Sequence, residues 1–283
     1  MNFHQEPNIF VTQVELNVHN LTHMKEFYIQ VLGLRPLQET ATSVSLSADG
    51  QHTLVTLVEH DDFLPKPRRS AGMYHFALLL PQRADLANFA AHLQKIGYPF
   101  GASDHGVSEA IYLSDLEGNE IEIYTDRSPQ EWTWQSELVE MTIDPLDFND
   151  LFEQQTKAGW KGMPSDTIMG HLHLYASELE QTKDFYTKGL GFNIVSRYAN
   201  QALFLSTGNY HHHIAINTWM GVGAPKAQPN QLGMAFYTLQ YPNTASLEQA
   251  KQQLEQIGAP LEEINGLTIT TDPSGNQLYL TTL

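Results

Sequence analysis

No cysteine occurs in the 283 residues, which removes disulfides, thiolate metal ligands and a cysteine nucleophile together. Basic residues are scarce as well: 15 Lys and Arg against 32 Asp and Glu leave a formal net charge of −17. With no basic run to offset phosphate repulsion, nucleic acid is excluded as a partner. The acidity reads as a solubility device. Long apolar runs are missing too, and no stretch approaches the roughly 18 residues of a membrane helix. The opening Met1-Asn2-Phe3-His4-Gln5-Glu6 has neither the basic nor the apolar region of a secretory signal, which points to the cytoplasm. What is present is 41% hydrophobic content, enough to bury a substantial core in a chain long enough for two domains. Homo-oligomerisation is left open.

The chain repeats itself. Val18-His19-Asn20-Leu21-Thr22-His23-Met24-Lys25-Glu26-Phe27-Tyr28, followed by Gly33, returns 158 residues later as Ala176 to Tyr186, followed by Gly191. A second unit, Gly72-Met73-Tyr74-His75-Phe76-Ala77 with Asp115-Leu116-Glu117-Gly118-Asn119 and Glu122, returns as Gly233 to Thr238 with Asp272-Pro273-Ser274-Gly275-Asn276 and Tyr279. Repeats set the architecture before any single element does.

Each unit reads as strand, helix, then three strands. Gln13 to Val18 alternates as a strand, and Leu21, Met24, Phe27, Tyr28, Val31 and Leu32 fall on one helical face that Gly33 ends. Ser43 to Leu46 and Thr53 to Val58 follow as strands. The second unit has strands at Tyr74 to Leu80, Glu109 to Leu113 and Glu120 to Tyr124, and a helix from Asp85 to Ile96 closed by Gly97. The pattern lapses between Asp126 and Thr167, where Trp132 and Trp134 read as packing residues. Phe148 to Ala158 reads there as a short helical stretch, and Asp144, Asp147 and Asp150 as a solvated helix start. The organisation is therefore residues 1–130 for units one and two, 131–166 for a connection, and 167–283 for units three and four.

Four βαβββ units with an Asp-x-x-Gly-Asn turn in the even ones resemble the vicinal oxygen chelate superfamily, which holds glyoxalase I, fosfomycin-resistance and bleomycin-binding proteins and the extradiol dioxygenases. The resemblance implies an α+β fold in which four βαβββ modules form two open mixed β-barrels, with helices outside and a metal site inside one barrel. It also carries metal ligands onto three equivalent strand positions. These are Gln13 or His171 in the odd units, and His75 with Glu122, or Phe236 with Tyr279, in the even ones. Phe236 and Tyr279 cannot serve as an ordinary divalent-metal pair. Modules in this superfamily pair in chain order or exchanged. Exchanged pairing collects His171, His75 and Glu122 in one barrel and leaves Gln13, Phe236 and Tyr279 in the other, a cleaner partition and the one we expect.

Two further motifs resemble extradiol dioxygenases, most of all the bacterial catechol-2,3-dioxygenase type. His105-Gly106-Val107-Ser108-Glu109-Ala110-Ile111-Tyr112 leads into Asp115, Gly118 and Glu122, and departs from that signature at Ser103 and Leu116. The likeness makes His105 and Tyr112 hydrogen-bond donors beside the metal. Tyr210-His211-His212-His213-Ile214-Ala215, placed on a strand of unit three, offers an acid–base histidine, either His212 or His213. Alternation sets His211 and His213 on the face opposite His212.

The resemblance implies Fe(II), with Mn(II), Ni(II) or Zn(II) as alternatives, and a small aromatic substrate with dioxygen: ring cleavage of a catechol beside its two hydroxyls. Two other functions fit the same scaffold. One is a metal-dependent lyase or transferase of the glyoxalase or fosfomycin-resistance kind, which would want a basic pocket. The other is a small-molecule-binding protein without chemistry.

Overall fold

A computed structural model describes residues 3–282. Unit one runs β1 (Phe10–Val18), α1 (Leu21–Gln30), β2 (Arg35–Glu39), β3 (Ser43–Ser47) and β4 (Thr53–Glu59). Unit two runs β5 (Gly72–Leu79), α2 (Arg83–Ile96), β6 (Gly101–Asp104), β7 (Ser108–Ser114) and β8 (Glu120–Asp126). The connection holds a small hairpin, β9 (Trp134–Gln135) with β10 (Leu138–Val139), and α3 (Phe148–Glu153), a shorter helix than the Phe148 to Ala158 expectation. Unit three runs β11 (Ile168–Tyr175), α4 (Leu179–Asp184) continued by a π-helical turn at Phe185–Gly189, β12 (Asn193–Tyr198), β13 (Ala202–Ser206) and β14 (Ile214–Asn217). Unit four runs β15 (Gly233–Tyr241), α5 (Thr244–Gln256), β16 (Leu261–Ile264), β17 (Leu267–Thr271) and β18 (Gln277–Thr282).

The strands form two eight-stranded mixed sheets, and the modules in them are exchanged. One sheet has the order β16-β17-β18-β15-β1-β4-β3-β2, so that units one and four share it; the other has β12-β13-β14-β11-β5-β8-β7-β6, from units two and three. The joints are antiparallel pairs of first strands, β1 with β15 and β5 with β11. A single buried core that includes Val14, Leu16, Phe76, Leu78, Leu172 and Leu174 lies against both sheets. This is the α+β module architecture that the repeats imply.

Consecutive units remain tied through the two repeated motifs. In the Asp115 turn, Oδ1 accepts the amides of Glu117 (2.9 Å) and Asn119 (2.8 Å), and Oδ2 accepts Asn119 Nδ2 (2.8 Å) and the Tyr28 hydroxyl (3.1 Å). Asp272 repeats this with Ser274, Asn276 and Tyr186. The Phe-Tyr end of each odd helix thus docks on the Asp turn of the next unit, which explains why the two motifs recur together. Leu116, where the dioxygenase-like signature departs, is 58% exposed on that turn and bears on no ligand. Trp132 and Asp147 behave as packing and capping residues, since Trp132 Nε1 donates to the Val107 and Arg127 carbonyls and Asp147 caps α3.

Candidate active site

β5, β8 and β11 are neighbours in the second sheet, so facing residues on them share its concave side. Ala77 is paired with both Glu122 and His171, while His75 lies one row along, opposite His173. The small side chain of Ala77 leaves room for Glu122 and His171 to reach towards His75. Glu122 Oε2 stands 3.0 Å from His75 Nε2 and 3.1 Å from His171 Nε2. One donor atom from each of the three residues lies within 4.8 Å of the others, and all three residues are buried. Gly170 makes part of this possible: a Cβ there would come within 2.0 Å of Tyr124 Oη, whose ring packs beside His171.

The polar atoms here satisfy one another only in part, through the contact between His171 Nε2 and Glu122 Oε2. Neither ring nitrogen of His75, nor Nδ1 of His171, has a hydrogen-bond partner, although all are buried. Buried polar atoms rarely stay unpaired, and two imidazole nitrogens converging on one carboxylate oxygen is the donor set that a divalent cation would use. The protonation states agree. Burial would raise the Glu122 carboxyl, but His171 and then His75 hold it well below the usual carboxylate range. Burial pushes His171 down to about 4 against the pull of Glu122. His173 and His212 are driven well below the usual imidazole range by burial and by neighbouring imidazoles. An ionised carboxylate beside the neutral imidazole of His171 is suited to ligation.

The three residues open into a cavity of about 230 Å³ whose walls include Tyr74, Tyr112, His173, Phe204, His212 and Trp219. Met141, Thr142 and Ile143 of the connection close one side, held by Thr142 N to His105 O (3.0 Å) and a bridge between Asp104 and Asp144. Ser103, the other departure in the signature, donates to the Asp144 carbonyl at 3.2 Å and so serves that closure. His105 donates from Nδ1 to the Thr142 carbonyl (2.8 Å), which leaves Nε2 to accept the Tyr112 hydroxyl at 2.7 Å. The two residues are therefore a coupled pair at the cavity wall, with the phenol proton spent on His105.

The three-histidine run differs from expectation. Its residues precede β14, which begins at Ile214, and lie in the turn that enters it. His212 lines the cavity, with its ring 4.0 Å from that of His171. His213 does not line it: its Nδ1 meets Ser206 Oγ at 3.2 Å and its Nε2 meets the Phe3 carbonyl at 3.2 Å. The choice left open by alternation is thus resolved towards the cavity for His212 and away from it for His213. Sequence reasoning misses His173, although its position two residues after His171 on a strand is sufficient signal. It also misses Tyr74, Phe204 and Trp219, and the connection residues carry no local signal at all. In the other sheet Gln13 donates to Thr238 Oγ1 at 3.2 Å, and Phe236 and Tyr279 stack with centroids 4.0 Å apart.

A paired-module fold with a two-histidine, one-carboxylate cluster on one concave sheet defines a class, and the comparisons agree. The sequence matches the Glyoxalase/Bleomycin resistance protein/Dioxygenase superfamily over residues 11–123 and 168–280, and the chain belongs to this family. It is similar to catechol-2,3-dioxygenase of Bacillus subtilis (strain 168), at 39% identity across 92% of both chains. It is also similar to biphenyl-2,3-diol 1,2-dioxygenase 3 of Rhodococcus globerulus, at 30% identity over 51% of this chain and 80% of that one. Among solved structures, glyoxalase I from Zea mays shares the fold at 14% identity and a TM-score of 0.59, covering 96% of this chain and 92% of that one.

Proposed function

We propose that the chain is an extradiol ring-cleaving dioxygenase acting on a small catechol-like aromatic with dioxygen, at an Fe(II) held by His75, Glu122 and His171. The observation that carries this is the convergence of His75 Nε2 and His171 Nε2 on one oxygen of a buried, ionised carboxylate, with three of their four ring nitrogens without a hydrogen-bond partner, at the base of an aromatic-walled cavity. The names of the similar proteins support the chemistry. A facial set of two histidines and one carboxylate leaves neighbouring positions open. Iron bound there would bring the two oxygens of an ortho-diol and dioxygen together and pass charge between them.

The remaining roles belong to side chains. Tyr74, Phe204 and Trp219 offer flat faces to an aromatic ring. His212 takes and returns the proton that ring opening moves, because it is a neutral cavity imidazole outside the ligand set and unpaired with Tyr112, whereas His173, the other such imidazole, has its Nε2 engaged by Asn217 Nδ2 at 2.8 Å. Tyr112, with His105 behind it, donates a hydrogen bond to developing oxygen charge once a substrate competes for its proton.

A lyase or transferase of anionic thiol or phosphonate substrates fits less well. Arg197, exposed at the rim, is the one Lys or Arg among the described residues that line the cavity. Mn(II), Ni(II) or Zn(II) would suit the same donors, so metal identity needs direct measurement. The test is anaerobic purification with metal analysis, followed by Fe(II) loading and oxygen uptake with a panel of catechols. Both oxygen atoms enter the product, so uptake and substrate loss should match, with a yellow ring-opened product. Failure of the iron-loaded protein to consume oxygen with any of them would overturn the reading.

A further inference from the structure

Behind His212 runs a chain of buried polar groups that the proposed reaction does not use. His211 Nδ1 lies 2.8 Å from His212 Nδ1, and His211 Nε2 lies 2.9 Å from Asp126 Oδ1. The His211 side chain is completely buried, and its ring is clamped by those of Tyr210 (4.0 Å) and Trp132 (5.3 Å). Asp126 ends β8, four residues beyond Glu122, with its side chain 21% exposed. The same carboxylate oxygen accepts the Tyr210 hydroxyl at 3.1 Å, and Tyr210 contacts the Tyr124 hydroxyl at 2.7 Å.

The donor inventory gives these contacts a direction. A carboxylate only accepts, so His211 must donate from Nε2 to Asp126. A neutral His211 then has only a lone pair at Nδ1, and His212 must donate to it from its own Nδ1. That leaves His212 Nε2 without a proton and as the ring nitrogen available to the cavity.

We infer that Asp126, acting through His211, is a positioning device that holds His212 in the Nδ1-protonated form with a basic Nε2 open to the cavity. The logic is that of a hydrolase triad, in which a buried carboxylate fixes the tautomer and orientation of the working histidine, here with a second imidazole interposed. The three groups come from β8 and from the turn before β14, elements of units two and three. The device therefore exists only because these units share a sheet. It also assigns a role to His211, which strand alternation alone places on the far face.

The inference rests on the proposed acid–base role of His212 for its functional meaning, but its structural content is tested separately. In metal-free protein labelled with nitrogen-15 at histidine, the His212 resonances are assigned by their loss in His212→Gln. They should report a protonated Nδ1 and a bare Nε2, and His211→Phe should abolish that preference. In the iron-loaded enzyme, Asp126→Asn and His211→Phe should lower kcat by about ten- to a hundredfold while KM and iron content hold. A wild-type His212 protonated at Nε2 would overturn the inference, as would unchanged kcat in both variants or a loss of activity that merely follows loss of iron. If no catechol is turned over, the dioxygenase reading fails while the nitrogen spectra still decide the tautomer.

Discussion

At the scale of single residues, the proposed function divides the cavity into side chains that hold the metal and side chains that act on the substrate. His75 and Glu122 are buried, and both ring nitrogens of His75 stay unpaired, so His75→Ala or Glu122→Ala should abolish metal retention while far-ultraviolet circular dichroism stays native. Full metal occupancy in either variant would contradict their role. His212→Ala should cut turnover by about a hundred- to ten-thousandfold at constant iron content. His213→Ala, which loses contacts to Ser206 and Phe3 outside the cavity, should instead lower Tm and leave kcat within a fewfold. Equal effects of the two on kcat would contradict this division. Glu15, on the other sheet, gives a pH signature: burial raises its carboxyl from the ordinary 4.5 to about 7. A raised folded value means that the stability linked to its proton is complete below about 4.5 and disappears as pH rises through about 7. Glu15→Gln should therefore raise Tm at pH 8 and change it little at pH 4, and an equal shift at both pH values would count against the assignment.

At the scale of elements, the Asp turns anchor the helices. Asp115 gathers two backbone amides, one side-chain amide and the hydroxyl of fully buried Tyr28. Asp115→Ala strands these donors, and leaving one buried group unsatisfied costs about 1–3 kcal/mol. Denaturant unfolding should show a loss of at least that size. Adding Tyr28→Phe should cost less in this background than in the wild type, since the hydroxyl it removes is already orphaned; strict additivity would refute the coupling. The turn is legible in the sequence because Asp, Gly and Asn recur at the same spacing in both even units. The short α3 is less so, since residues 154–158 continue an acceptable helical composition but pack no further helical turn.

At the scale of the whole molecule, exchanged pairing makes each half of the chain dependent on the other. In isolation residues 1–130 would expose the edges of β1 and β5 that normally pair with β15 and β11, and open apolar strand edges invite aggregation. This half should be insoluble or non-cooperative alone, and its co-expression with residues 131–283 should restore a soluble complex that retains metal. A monomeric first half with a sharp unfolding transition would refute this dependence.

The sequence by itself determined the module count, the kind of sheet, the Asp turns and the identity of His75, Glu122 and His171 as candidates, because periodicity and repeat register are local properties written in neighbouring residues. Even the exchanged pairing was inferable, but only from how ligand types divide between repeats. Tertiary structure alone decided that His212 rather than His213 meets the cavity, that Met141, Thr142 and Ile143 close it, and that Asp126 stands behind His211. The physical reason is the same in each case. Strand alternation tells which residues share a face but not which face turns inward, and a turn entering a strand escapes alternation altogether. A contact between residues 126 and 211 depends on long-range pairing of β5 with β11, and no local pattern around either residue marks the other as its partner.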